Sequence, residues 1–292
     1  VKRDFGGIRM WGTAGWVFIA WTFGLFWLKG APPGEPDPRL ADALRLCALL
    51  HFTLAAYSCC LPRETKHAEN TKTLIPWEAF RVFARPSVIV LSVATLFTSA
   101  IHQHYYFGMG PFLKSTGTPE NLIMPLMSIG QAAEVLMLWL LGRVLARLGT
   151  KRVLIIALAA QALRFTVFGI GSPFPLVVAV IAAHGFCYAF FFTASYIYID
   201  EHSTRQARAG AQQLFTILIM GIGYFLGHAT AGKLGGWFLD PATNAINFHL
   251  FWAVPAASAV AIALFLLVAF RAEAPLPHPA PSPEEVPGAG AV

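Results

Sequence analysis

Within the long apolar stretches of this 292-residue chain, a few polar side chains are spaced so that they can act together. Gln131 and Glu134 lie three residues apart and share one face of a helix. An amide beside a carboxylate can hold the hydroxyl groups of a polar solute, and the carboxylate can also take up and release a proton. Arg9 and Thr13 lie four apart and share a face in the same way. Arg164 stands inside another apolar run, and His184 precedes an aromatic series: Tyr188, Phe190, Phe191, Phe192, Tyr196 and Tyr198. His102, Gln103, His104, Tyr105 and Tyr106 fall near the outer end of a further run. Ionisable groups in such surroundings are costly, and each is a functional hypothesis by default.

Each also has a plainer reading. Arg9 suits an interfacial arginine whose stem lies in lipid while its guanidinium reaches the headgroups. Glu134 lies near mid-run, so it either serves a substrate or a proton, or forms a buried ion pair with Arg164, whose helix follows directly. Arg164 reads more readily as that structural partner than as a ligand. The aromatic series is mostly packing, with one or two rings left to line a site. His102 and His104 fit solvated or headgroup-facing histidines, and His184 fits either role. Gly223 and Gly227, with Gly221 beside them, permit close helix contact, although glycine is frequent in membrane helices in any case.

The elements that position these residues follow from composition. The chain is 56% hydrophobic and 12% charged, where an ordinary soluble domain carries about a quarter charged residues. Eight apolar runs are marked, at 9–28, 41–61, 87–108, 121–141, 152–171, 175–199, 212–232 and 248–270, each near the roughly 20 residues a helical span needs. Their length selects helices over barrel strands. With the N-terminus cytoplasmic, one side receives Lys2 and Arg3, the cluster from Arg63 to Arg85, Arg143 to Arg152, Arg205, Arg208 and Arg271. The other receives Lys29, Arg39, Lys114 and Lys233, which predicts both termini inside.

This places two helices in 1–62, a cytoplasmic loop at 63–86, six helices in 87–271 and a Pro-, Ala- and Glu-rich disordered tail at 272–292. Within the loop, Trp77, Phe80 and Phe83 are expected at the membrane interface. The +6 net charge sits in short loops, which argues against a nucleic-acid partner. Cys47, Cys59, Cys60 and Cys187 show no metal spacing and read as packing residues. No signal peptide, cofactor motif or metal set is recognised, and no obligate protein partner is implied. Against a membrane-embedded enzyme stands the lack of any H-E-x-x-H, G-x-S-x-G or paired-aspartate signature in a span.

One ordered set of residues is more specific: Arg9-Met-Trp11-Gly12-Thr13, Met127-Ser-Ile-Gly130-Gln131-Ala-Ala-Glu134, Leu163-Arg164, His184-Gly185-Phe-Cys187-Tyr188, and Tyr198-Ile-Asp200. Together with the basic loop Gly142 to Arg152, it resembles the nucleoside:proton symporter family of the major facilitator superfamily, over all of the chain but the tail. The resemblance implies an all-α integral membrane fold of twelve helices in two bundles. It further implies alternating access and proton-driven import of nucleosides across a bacterial-type inner membrane. The first run then corresponds to the family's fifth helix, so eight of the twelve helices are expected and the loop at 63–86 joins the bundles.

Carried over residue by residue, Arg9, Thr13, Gln131 and Glu134 match residues that face the family's cavity. Glu134 would accept from ribose hydroxyls or carry the coupled proton, Gln131 would bond ribose or base, Phe190 or its neighbours would stack, and Tyr188, His102 and Tyr105 would complete the site. Two departures stand out. Tyr188-Ala189-Phe190 replaces a common Tyr-Asp-Phe, losing a carboxylate, and His102 to Tyr105 stands where polar amides are usual. The alternatives are a transporter of sugars or another polar solute on the same scaffold, or a non-transporting remnant.

Overall fold

Lipid offers no hydrogen bonds to a backbone, so each apolar run must close its own ladder as a helix. The computed structural model describes residues 5–28, 37–61, 77–204 and 206–276, and for 5–10 the backbone alone. The chain begins with α1 (Phe5–Trp21), continued by a π-helical turn (Thr22–Trp27), then α2 (Leu40–Cys59), α3 (Trp77–Phe83), α4 (Pro86–Ser115) and α5 (Glu120–Ile170). A continuous rod follows, made of α6 (Phe174–Ile181), α7 (Ala183–Phe186), a π turn (Cys187–Thr193) and α8 (Ala194–Glu201). A second rod joins α9 (Arg208–Thr216), a π turn (Ile217–Gly223) and α10 (Tyr224–Trp237), and α11 (Phe248–Ala269) is the last helix among the described residues.

Among the described residues, 6 helical stretches are long and apolar enough to cross a membrane. One of them, α5, is two helices in sequence. At Gly149 the backbone takes φ 74° and ψ 161°, a conformation open to glycine and costly for residues with a Cβ. With α1 and its π turn, every one of the eight expected runs is a helix, and we number these crossings in chain order. Between the seventh and eighth lies a short hairpin, Leu239–Asp240 paired with Ala245–Ile246. Asp240 accepts from the Ala242 backbone at 2.8 Å, and that bond, with others from Thr243, holds its carboxyl below the usual carboxylate range.

The third crossing corrects one boundary. The run expected at 87–108 continues to Ser115 with Pro111 inside the helix, because neighbouring helices in a membrane satisfy the groups a proline leaves open. His102 and His104 are therefore not solvated at the outer end; both are buried.

Glycines set the closest approaches. A Cβ on Gly227 would lie 2.5 Å from the Ala100 carbonyl oxygen, and one on Gly223 would lie 2.5 Å from Ser99 Oγ, so the Gly223/Gly227 face is the contact of α10 with α4. Between crossings four and six, a Cβ on Gly185 would lie 2.5 Å from the carbonyl carbon of Ala133 and 2.6 Å from the nitrogen of Glu134. On the opposing face, a Cβ on Gly130 would meet His184 Cβ at 2.9 Å.

Two apolar clusters form the interior. One is built on residues such as Leu91, Leu154, Phe191, Phe215 and Leu266. The other includes Tyr105, Phe112, Phe168, Phe251 and Trp252. On crossings three to six the chain passes from one cluster to the other through a polar layer that holds His102, Gln131, Glu134, Gln161, Arg164 and His184.

The first crossing packs on the fourth, where Trp21 Nε1 donates to Ser128 Oγ at 2.8 Å. The second crossing has no buried residue; it is tied to the first by Trp27 Nε1 donating to Asp42 at 3.0 Å. In α3, Trp77 and Phe80 are exposed as expected for an interfacial helix, but Phe83 packs on Phe215 with ring centroids 6.5 Å apart. Loop residues 62–76 lie outside the described residues, as do 277–292 of the expected tail.

The first residues of that tail are held against α8. The Glu273 backbone donates to Tyr198 Oη at 3.1 Å, and the Leu276 backbone donates to the Glu201 carbonyl at 3.0 Å. His202 places Nδ1 2.8 Å from the Tyr198 carbonyl and Nε2 3.3 Å from the Glu273 carbonyl.

Two outcomes are expected from these contacts. Gly185→Ala forces crossings four and six apart and should cost about 1–3 kcal/mol, read as a lowered midpoint of thermal unfolding in detergent. His202→Ala removes one anchor of the strap at 271–276 and should speed deuterium uptake at the Glu273 and Leu276 amides while amides within α8 keep their protection. Unchanged uptake at those two amides would show that the imidazole does not hold the strap.

Candidate functional site

The polar layer forms where crossings four and six run backbone against backbone. Glu134 and Gln131 project from the fourth crossing on one face, as their spacing requires, and each is 7% exposed. Glu134 has an interaction partner, whereas Gln131 Oε1 has none among the described residues. One helical turn before Glu134, Gly130 admits the Cβ of His184.

His184 is fully buried and faces the third crossing. Its ring centroid lies 4.9 Å from that of His102 and 5.2 Å from that of Tyr105. Along the sixth crossing, Tyr188 and Phe192 follow at four-residue intervals, and both approach His102, at 6.5 and 5.4 Å between centroids. The result is a wall of imidazole and aromatic rings contributed by crossings three and six.

Behind this wall stands Arg164. Its Nη1 lies 2.8 Å from His184 Nδ1, and its guanidinium carbon sits 4.6 Å from the Tyr105 ring centroid and 4.8 Å from that of Phe165. A guanidinium can only donate, so Nδ1 of His184 is the acceptor and the ring hydrogen is on Nε2. Cation–π contact with the two rings offsets part of the cost of burying the charge. The structural role expected for Arg164 thus has a different partner: its hydrogen bond goes to His184 and not to Glu134. Sequence adjacency suggested the neighbouring helix, but the sixth crossing is inserted beside the fourth and reaches Arg164 first.

The layer is rich in polar atoms without partners among the described residues. They include both ring nitrogens of His102, Tyr105 Oη, Gln131 Oε1, Gln161 Nε2, His184 Nε2, and Nε and Nη2 of Arg164. An unsatisfied buried polar group costs about 1–3 kcal/mol. Their concentration at one level is the chemistry of a place that meets a polar solute.

Of the residues expected at the site, the structure brings together Gln131, Glu134, His102, Tyr105 and Tyr188. Phe190 is not among them, because it points away from His102 and packs edge-on against Phe186, with centroids 5.4 Å apart. The position two residues further on, Phe192, occupies the wall instead. Its place in the series His184, Tyr188, Phe192 was the available signal. Thr13 is half-buried on α1, and Arg9 lies on the same helix with its side chain outside the described residues. Among the described residues no cluster of three or more potential metal ligands occurs.

Comparison with known proteins gives this geometry a context. Over 247 residues the chain is 26% identical to the nucleoside permease NupG of Escherichia coli K12, covering 80% of this chain and 58% of that protein. It is 27% identical to the putative nucleoside transporter YegT of the same organism over 251 residues, covering 82% and 56% respectively. With the xanthosine permease of that organism it shares 24% over 250 residues. The chain therefore spans a little over half the length of these relatives. A crystal structure of the nucleoside transporter NupG superposes with a TM-score of 0.71 at 23% identity, over 94% of this chain and 69% of that one, which establishes the major facilitator fold. A family model described as nucleoside H+ symporter matches residues 1–274, and on that match this membrane protein belongs to the nucleoside H+ symporter family.

Proposed function

We propose that this protein imports nucleosides by proton symport with alternating access, across a bacterial-type cytoplasmic membrane and with both ends of the chain on the cytoplasmic side. The observation that carries the reading is a carboxylate and an amide, Glu134 and Gln131, buried on one helix face beside a layer of partnerless hydrogen-bonding atoms and a wall of rings. A nucleoside presents ribose hydroxyls and a flat heteroaromatic base, and these are the two halves of that arrangement. Family membership supports the same cargo class, as do relatives named for nucleosides and xanthosine. The orientation rests on the asymmetry of Lys and Arg between alternate loops.

In this reading Glu134 accepts from the ribose hydroxyls and carries the coupled proton, and Gln131 bonds ribose or base. Thr13 and Arg9 contribute from the first crossing. His102 and Tyr188 form the near side of the ring wall, with Phe192 taking the stacking place that the resemblance suggested for Phe190 or its neighbours. Tyr105 stands one layer back, holding Arg164 and through it His184. Because Arg164 keeps Nδ1 of His184 as an acceptor, Nε2–H of His184 is directed away from it as a donor. Ala189, where the family commonly has an acid, leaves Glu134 as the carboxylate of this layer on crossings three to six.

Uptake of labelled uridine into proteoliposomes, with and without an inward proton gradient, tests the assignment. Glu134→Gln should abolish gradient-driven uptake, a loss of at least tenfold, while the protein keeps its thermal midpoint. Gradient-driven uptake at the unmodified level in that variant would remove Glu134 from the coupling step. Competition by sugars and not by nucleosides would reassign the cargo.

A further inference from the structure

The sixth crossing ends in α8, and the chain that leaves the eighth crossing returns to it. Phe270 closes α11 and is fully buried, edge-on to Tyr198 with ring centroids 5.3 Å apart. From there the strap at 271–276 runs beside the last turn of α8, with the Glu273 amide on Tyr198 Oη and the Leu276 amide on the Glu201 carbonyl. The membrane-crossing helix ends at Glu201, so His202 lies just past it. It is nonetheless buried, between α8 and the strap.

The surroundings of its ring do not suit a neutral imidazole. Nδ1 lies 2.8 Å from the Tyr198 carbonyl oxygen and Nε2 3.3 Å from the Glu273 carbonyl oxygen, and a carbonyl oxygen can only accept. A neutral ring carries one N–H, so it bonds one of these oxygens and turns a lone pair on the other. An imidazolium donates to both at once. The Tyr198 ring is stacked on the imidazole, with centroids 3.9 Å apart and 22° between planes, and an aromatic face favours a cation. Burial opposes the charge. Of the charged groups on the elements packed here, Asp200 pairs with Arg208 at 3.0 Å, and Lys151, from the fifth crossing, donates to the Leu267 carbonyl at 2.8 Å. Glu201 precedes the histidine on α8, and Arg271 and Glu273 lie in the strap.

We infer that His202 is a proton-sensing latch: protonation fastens residues 271–276 to the end of the sixth crossing, and loss of the proton loosens them. The sign follows from the donor count. With both ring nitrogens protonated the two carbonyl oxygens are satisfied, and with one hydrogen removed a lone pair faces an oxygen. The strap is therefore firm on the acid side and loosens as pH rises, and histidine changes charge between about pH 5 and pH 8. The helix being held is the one that carries His184 and Tyr188, so the latch sets how firmly that helix is tied to the eighth crossing. In the import cycle proposed above, the coupled proton is released on the side where the strap lies, and the latch reads it there. The latch itself does not depend on that cycle or on the transported solute.

Nitrogen NMR of the full chain in detergent, with labelled histidine rings and the His202 signal assigned by its loss in His202→Gln, reads the charge directly. Both nitrogens of His202 should carry hydrogen at about pH 6, and one of them at about pH 8. Over the same range, with intrinsic exchange rates divided out, deuterium protection of the Glu273 and Leu276 amides should fall about tenfold, the difference between a charge-assisted and an ordinary hydrogen bond. Amides within α8 should keep their protection. His202→Gln, which donates at one position and does not titrate, should remove the pH dependence of the strap. A His202 ring whose charge does not change over this range would overturn the proposal. So would strap protection that stays level in the unmodified protein, or a fall that survives in His202→Gln.

Discussion

The interior of this protein depends on the approach of the fourth and sixth crossings at Gly130 and Gly185. With no Cβ at Gly185, the sixth helix lies against the backbone of Ala133 and Glu134. Two consequences follow from that one contact. His184, the residue before Gly185, is carried past the fourth helix to meet Arg164 and His102. Glu134 is fixed at the same depth as those groups, inside a layer from which bulk water is excluded by apolar clusters above and below. In low dielectric a polar group is either well partnered or costly, so the position of each member constrains the others. Arg164 illustrates this: its charge is answered by one histidine nitrogen and two ring faces, and that fixes which nitrogen of His184 carries hydrogen.

The π turns belong to the same logic. A π turn leaves a carbonyl without its usual α-helical donor and rotates the side chains that follow. On the seventh crossing the Ile219 carbonyl lies within such a turn and accepts from Ser99 Oγ at 2.9 Å, and Gly223 lets the third crossing come close enough to donate. On the sixth crossing the turn at Cys187–Thr193 carries the aromatic wall. Single-turn π segments are found often at functional positions in helices. Here they occur on the first, sixth and seventh crossings, of which the sixth is one of the four that carry the polar layer.

Much of this was legible in the chain. The eight crossings follow from run length alone, since the bilayer fixes what a span must be. Gln131 and Glu134 were legible from a spacing of three within an apolar run. What escaped was whatever depended on which helix inserts beside which. Arg164 pairs with His184 because of the order of packing, and that order has no trace in the distance along the chain between Glu134 and Arg164. The depth of His102 was misjudged for a different reason. The expected run ends at 108, whereas the helix passes through Gly110 and Pro111 to Ser115, which sets His102 and His104 deeper. The choice of Phe192 over Phe190 is a matter of face: His184, Tyr188 and Phe192 keep one side of the rod, and Phe190 falls on the other with Phe186.

The way Arg164 is accommodated bears on how Glu134 can work. A buried arginine bonded to a carboxylate forms a pair that is hard to break, since separating the partners strands a charge in low dielectric. Arg164 gives its hydrogen bond to His184, and Glu134 has an interaction partner as well. A neutral imidazole with two flanking rings satisfies part of the guanidinium without consuming an acid. The carboxylate on the fourth crossing is thus kept out of the arginine's coordination while remaining in the same layer. In the symport cycle proposed above, a change in the protonation of Glu134 would leave the arginine, histidine and tyrosine behind it in place.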